Sequence, residues 1–330
     1  MRDAGFRGPL FIVGSFRSGT SLLATLLNEH PRIAIPVTET NFLTNLVRAF
    51  GDPPRLDEEG RLDQFYVRFC DTLFFDWRRR QGVVMSKRDL SERADLNSWA
   101  SIFEAILKFY APKNLTTDMI WGDRSPGHLT AIKLLKSVCP AAKFLHIIRD
   151  PRDVCLSAKK NWGKSLYRSA SLWQQRVAAG RRAGATLAED YHEVAFESLL
   201  EDPRATLKAV CDHLQVDFTD AMLNISVAYT SNGDARGARE IVRHNKGKYR
   251  SQLPVRTIRR IEEIVYPTAT EAGYHLDYAL GFRPLGSVGR NLLLCHDGAM
   301  VVKRYARHRG MRWAASYLAR KGAQVIRGHI

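Results

Sequence analysis

The chain has 330 residues, 45% hydrophobic and 25% charged, which suits one large α/β domain or two small ones. Five scattered cysteines without a CxxC pair argue against a disulfide framework or a zinc site and for a reducing, cytoplasmic setting. No run approaches the about 18 apolar residues that span a bilayer, and the apolar stretch near the N-terminus is too short for a signal peptide.

The net charge is +16, and it is uneven. Residues 282–330 hold ten Lys or Arg and one Asp, a net +9, so this segment needs an explanation of its own. A balance this basic suits a polyanionic ligand, an anionic membrane surface or nucleic acid.

In chain order, Leu10-Phe11-Ile12-Val13 ends at Gly14 and predicts a strand buried on both faces. Leu22, Leu23, Leu26 and Leu27 recur at helical spacing and predict a helix packed back onto it. Ile33–Ile35 predicts a second strand, stopped by Pro36, and 51–60 reads as a polar loop. Residues 61–115 read as mostly helical. A short strand is expected at Met119–Trp121, a helix over Pro126–Val138, and a strong strand at Lys143–Ile148. Asp150-Pro151-Arg152-Asp153 has the cap, first-turn proline and first-turn acid of a helix start. A last strand is expected at Glu193–Phe196, then helices beyond 202, with a Gly-rich polar loop at 231–248.

The order strand, glycine loop, helix opens a nucleotide-binding α/β fold. Between the first strand and its helix lies Gly14-Ser15-Phe16-Arg17-Ser18-Gly19-Thr20-Ser21. Its glycines have Walker A spacing, and they let successive amides and the helix N-terminus face one anion. Thr20 stands where Walker A requires Lys, which removes the cation that a kinase or NTPase uses on its β and γ phosphates. Arg17 supplies a charge inside the loop instead. Phe-Ile-Val-Gly-Ser-Phe-Arg-Ser-Gly-Thr-Ser-Leu-Leu at 11–23 resembles the 5′-phosphosulfate loop of sulfotransferases that use 3′-phosphoadenosine 5′-phosphosulfate (PAPS). The likeness is to the R-S-G-T-[ST]-L-L branch, with tyrosylprotein and carbohydrate sulfotransferases and bacterial relatives. It implies that Arg17, Ser18, Gly19, Thr20 and Ser21 grip the 5′-phosphosulfate.

His146-Ile147-Ile148-Arg149-Asp150-Pro151-Arg152 with Ser157 is similar to the family's 3′-phosphate element. The resemblance makes Arg149 and Ser157 donor contacts; alone, the same residues read as a capped helix start with local ion pairs. Glu39 in Thr38-Glu39-Thr40-Asn41 resembles the family's catalytic glutamate, which implies a general base, with Arg17 stabilising the leaving phosphate. Its other reading is a first-turn acid after a Thr38 cap.

Gly122-Asp123-Arg124-Ser125-Pro126-Gly127-His128 resembles a G-D-K-T-P segment of bacterial members, with Arg124 in place of Lys. The likeness places Arg124 and His128 at the acceptor pocket. Lys248 in Lys246-Gly247-Lys248-Tyr249 matches a basic-aromatic loop that closes over the nucleotide, or is a solvated loop.

The expected fold is therefore a P-loop-like three-layer α/β domain over 1–281, its mainly parallel sheet flanked by helices, with a basic C-terminal extension at 282–330. The expected activity is PAPS-dependent sulfuryl transfer without a metal, to an acceptor hydroxyl on a carbohydrate or glycolipid. The alternative is a P-loop kinase or NTPase. Nucleic acid is not an expected partner, because the charge gathers in the tail and no recognition motif accompanies it. The basic, partly apolar stretch 300–321 suits an anionic membrane at the inner face, or a solvated tail.

Overall fold

The computed structural model describes residues 5–36, 38–112, 116, 118–228 and 235–309. In chain order these form β1 (Leu10–Gly14), α1 (Thr20–Asn28), β2 (Ile33–Ala34), α2 (Leu43–Phe50), α3 (Arg61–Cys70), α4 (Leu73–Arg80), α5 (Lys87–Arg93) and α6 (Trp99–Phe109). Then come β3 (Ile120–Asp123), α7 (Ile132–Val138), β4 (Lys143–Ile148), α8 (Pro151–Trp162), α9 (Leu166–Gly184), β5 (Tyr191–Ala195), α10 (Phe196–Glu201) and α11 (Pro203–Leu214). α12 (Tyr249–Gln252), α13 (Val255–Glu271) and α14 (Ser287–Arg309) follow. The five strands form one parallel sheet in the order β2-β3-β1-β4-β5, the α/β architecture expected.

The described residues group into two compact units: 5–149, 176–228 and 235–244 in the first, and 150–175 and 245–309 in the second. The first holds the whole sheet. Pleating sends alternate side chains of each strand to opposite faces. Phe11, Val13, Trp121 and Phe144 join a core with the aromatic residues of α3, α4 and α6, including Phe65, Phe69, Phe74 and Trp99. Leu10, Ile12, Leu145 and Ile147 join a second core with Leu22, Leu23, Leu26 and Leu27 of α1 and Leu207 and Leu214 of α11. Burial on both sides explains why β1 reads as an unbroken apolar run, while β4 is broken by His146, itself buried.

Several boundaries differ from the sequence expectation: β2 stops at Ala34, β3 runs Ile120–Asp123 and β5 begins at Tyr191. Phe196 begins α10 instead of ending a strand. Pro126–Ala131 is a 3-10 turn that precedes α7, closed by the His128 N–H on the Ser125 carbonyl. Of the glycine-rich stretch 231–248, residues 231–234 lie outside the described residues.

In the second unit Arg152 of α8 is the hub. Its guanidinium donates to both oxygens of Asp150, donates to Glu262 of α13 at 2.6 Å, and stacks 4.2 Å over the Tyr249 ring. Glu262 is fully buried and also accepts from the Tyr278 and Ala279 amides. Asp153 accepts from the Gly247 and Tyr249 amides, which fixes the start of α12. α14 is anchored by Asp297, which accepts from the Ser165 amide and from Arg168.

A partly buried polar chain joins β4 and β5. Tyr191 donates its O–H to Glu193 at 2.9 Å, so His146 on the neighbouring β4 donates Nδ1–H to the Tyr191 oxygen at 2.5 Å. That leaves a neutral imidazole. Burial, with Arg181 nearby, lowers the His146 pKa from 6.5 to about 3. The unfolded chain therefore takes up a proton below the ordinary histidine value that the folded chain refuses. Stability from this group is complete above about pH 6.5 and falls by up to about 1.4 kcal/mol per unit as pH drops toward 3. Urea titrations across that window should show a shallower pH slope in His146→Leu; an unchanged slope would refute the assignment.

Candidate active site

The first unit brings most of the expected residues to the ends of β1, β3 and β4. In open parallel sheets, ligands bind outside the carboxyl ends of the strands. The loop after β1 turns through Arg17, whose φ of 62° is left-handed, and Gly19, whose φ is 102°. A left-handed non-glycine residue costs roughly 1 kcal/mol or more and is found at ligand clamps. Gly19 is required twice over: besides its φ, a Cβ there would meet the Phe196 ring at 2.4 Å. Gly14 is needed for close approach, since a Cβ would lie 2.7 Å from the Ile147 carbonyl oxygen.

The loop is built around hydroxyls and amides. Ser15 and Ser18 are buried, at 0% and 1% exposure, and neither Oγ has a hydrogen-bond partner among the described residues. α1 has no side-chain cap and no acid in its first turn, so its leading amides are left to another acceptor. Burying two hydroxyls without partners is costly, and an oxyanion held by both would offset that cost. The donor set thus fits a phosphate or sulfate group. Thr20 is buried, and Ser21 is half-buried and accepts from Arg124 at 2.5 Å.

Arg149 is buried at the end of β4, 4.4 Å over the Phe196 ring, and donates from Nη1 to the Arg17 carbonyl at 3.2 Å. One guanidinium thus braces the loop from the neighbouring strand. Phe196, expected from the sequence to end the last strand, lies under both Gly19 and Arg149.

On the other side of β1, Glu39 is exposed and accepts from Asn41 Nδ2 at 2.9 Å. It is close enough to Arg124 for its carboxylate to support the guanidinium charge, which burial draws below the ordinary arginine range. No side-chain bond from Thr38 caps a helix here, since α2 begins at Leu43. His128, expected at the pocket, is 1% exposed, with Nε2 at 3.3 Å from Asp123 and its ring edge-on to Phe11. Ser157 and Lys248, both half-buried, belong to the second unit; Asn161 donates to Ser157, and Lys248 precedes α12. Arg152 of the same motif is committed to Asp150, a local ion pair of the helix-start reading, and also to the distant Glu262.

A sequence profile of the sulfotransferase family matches residues 9–220, which takes in β1 through α11 and the loop just described. The chain belongs to the sulfotransferase family. Two curated relatives of this sulfotransferase-family protein are both named omega-hydroxy-beta-dihydromenaquinone-9 sulfotransferase Stf3, from Mycobacterium bovis and Mycobacterium tuberculosis. Each is 27% identical over 248 residues, 62% of this chain and 62% of the relative, so the match spans about three-fifths of those proteins. The fold is also that of the sulfotransferase domain of the Synechococcus PCC 7002 olefin synthase, at 22% identity and a TM-score of 0.52, covering 82% of this chain and 97% of that one. The sulfotransferase domain of the curacin biosynthetic pathway superposes with a TM-score of 0.55 at 19% identity, covering 82% of this chain and all of that one (100%).

Proposed function

We propose that this protein transfers a sulfuryl group from PAPS to an acceptor hydroxyl. The observation that carries the reading is the pair of buried, unpartnered hydroxyls of Ser15 and Ser18 beside an uncapped helix N-terminus, in a loop with no Walker lysine. That cradle suits one tetrahedral oxyanion bearing a leaving group, without the metal and lysine that a triphosphate needs. Arg17, Ser18, Gly19, Thr20 and Ser21 hold the 5′-phosphosulfate, and Arg149 holds the 3′-phosphate. The family resemblance extends the donor contacts to Ser157 and Lys248. Glu39 takes the acceptor hydroxyl's proton as the oxygen attacks sulfur. Arg17 and the α1 amides stabilise the electron pair left on the 5′-phosphate oxygen when its bond to sulfur breaks. Arg124 and His128 are assigned to the acceptor side, and residues 1–281 to catalysis.

Calorimetry tests the donor. The protein should bind adenosine 3′,5′-bisphosphate without added metal and more tightly than ATP with magnesium; the reverse order would remove the assignment.

For the acceptor we favour a hydroxyl on a lipid-borne molecule, either a glycolipid or an isoprenoid alcohol. The name of the mycobacterial relatives describes a hydroxylated menaquinone, and the extension at 282–330 carries +9. Within it α14 exposes Val288 and Leu292, one turn apart, at 73% and 67%. Of the stretch 300–321, residues 310 onward lie outside the described residues, among which no helix is long and apolar enough to cross a membrane. A basic helix with exposed apolar side chains suits the surface of an anionic bilayer. The protein should sediment with phosphatidylglycerol vesicles, less so at high salt, and Val288→Asp/Leu292→Asp should stay in the supernatant. Equal sedimentation of both proteins would refute the contact. A carbohydrate acceptor free of lipid is the other outcome of an acceptor screen.

A further inference from the structure

Asp123, the last residue of β3, has no role in the reading above, yet it is fully buried with a carboxylate. It accepts from Thr40 Oγ1 at 2.6 Å and from Ser125 Oγ at 3.2 Å, and its second oxygen lies 3.3 Å from His128 Nε2. Ser125 Oγ in turn accepts from the Thr40 amide at 2.7 Å. Thr40 is thus held at both its backbone and its side chain, 83 positions along the chain from its partner. Burial alone would raise the Asp123 pKa, but the close His128 ring and the bonds from Thr40 and Ser125 more than offset it and hold the carboxyl below the ordinary range. Gly127 closes the arrangement: a Cβ there would sit 2.6 Å from Asn41 Oδ1, so the two loops touch with no room for a side chain between them.

The neighbours of these anchored residues are the groups assigned to chemistry. Thr40 lies between Glu39 and Asn41, and Asn41 Nδ2 steadies Glu39 at 2.9 Å. Asp123 is followed directly by Arg124, which reaches the donor loop through Ser21 at 2.5 Å. The buried Asp123 carboxylate therefore sets the loop after β2 against the end of β3, and its neighbour Arg124 ties the end of β3 to the donor loop. An isolated surface turn carrying Glu39 would wander, and misplacement by about 1 Å costs transfer roughly 10²-fold.

We propose that Asp123 is a positioning residue for sulfuryl transfer, fixing Glu39 through Thr40 while its neighbour Arg124 meets the donor loop. This deepens the reading of Glu39 as the base and rests on it. It makes the Asp123–Thr40 bond a determinant of turnover with no share in donor binding.

The test uses the full chain, with transfer to water as the readout: release of sulfate from radiolabelled PAPS in the absence of any other acceptor. Thr40→Val keeps the shape and loses the hydroxyl. It should release sulfate about 10²-fold more slowly at saturating PAPS, while its affinity for adenosine 3′,5′-bisphosphate in calorimetry stays that of the wild type. Thr40→Ser, which keeps the hydroxyl, should recover most of the rate. In a Glu39→Gln background Thr40→Val should cost nothing more, because both changes disable the same group. Thermal melting of each variant separates misfolding from mispositioning; if Asp123→Asn fails to fold, the Thr40 pair still decides. A Thr40→Val protein with the wild-type rate, or one whose loss adds in full to that of Glu39→Gln, overturns the positioning role. A Glu39→Gln protein that releases sulfate at the wild-type rate, or a wild type that releases none above the protein-free control, overturns the base assignment and this inference with it.

Discussion

Glu39→Gln should keep the affinity for adenosine 3′,5′-bisphosphate and lose sulfuryl transfer by about 10²–10⁴-fold, the range that a positioned general base supplies. The substitution is nearly isosteric. Gln keeps an oxygen for the Asn41 Nδ2 donor, so the turn that ends in Asn41 should persist. What it removes is the ability to take a proton, together with the negative charge that supports Arg124. Because the Arg124–Ser21 bond does not involve Glu39, the effect on donor binding should be small beside the loss in rate. The decisive comparison is turnover of radiolabelled PAPS at saturation set against the calorimetric affinity of the same preparation. Wild-type turnover would transfer the role of base to another group.

The second large effect is expected at Arg149. Arg149→Ala removes a buried guanidinium that stacks on Phe196 and braces the Arg17 carbonyl. A hydrogen bond to a charged partner is worth about 1.5–3 kcal/mol, so affinity for adenosine 3′,5′-bisphosphate should fall about 10- to 100-fold. Two consequences are mixed in that number, because the bracing of the first loop is lost together with any bond to the 3′-phosphate. Adenosine 5′-phosphosulfate, which lacks the 3′-phosphate, separates them. The wild type should prefer PAPS over this analogue, and Arg149→Ala should lose the preference. Retained discrimination would assign the 3′-phosphate to other residues and leave Arg149 as a brace alone. Arg149→Lys should recover little, since a point charge cannot hold the Arg17 carbonyl and a ligand together as a planar fork does.

Both predictions use residues that stand out in the sequence, for a physical reason. A glycine loop is local: its glycines, its hydroxyls and the helix that follows lie within a few residues, so Gly14–Ser21 shows its candidate anion-binding groups in order. The strands beside it are legible because burial on both faces makes β1 a continuous apolar run and leaves β4 apolar but for Lys143 and His146. Helix starts such as Asp150-Pro151 are legible because caps act within one turn. At Phe196 the pattern alone extends the strand, because an aromatic follows apolar residues, whereas the chain turns there into α10.

The amino-acid sequence by itself determined the fold class, the glycine loop with Thr20 at the Walker lysine position and Arg17 within it, and the set of candidate groups that includes Glu39, Arg124 and Arg149. Each of these depends on interactions within a strand, a turn or a cap. The tertiary structure alone decided which arginine of the Arg149-Asp150-Pro151-Arg152 run meets the donor loop and which is spent on Asp150 and Glu262, 110 residues away. It alone decided that Asp123 grips Thr40 and that Phe196 lies under Gly19. Those pairings arise where β1, β3 and β4 come side by side in the sheet, and strand adjacency leaves no local mark on the residues that it joins.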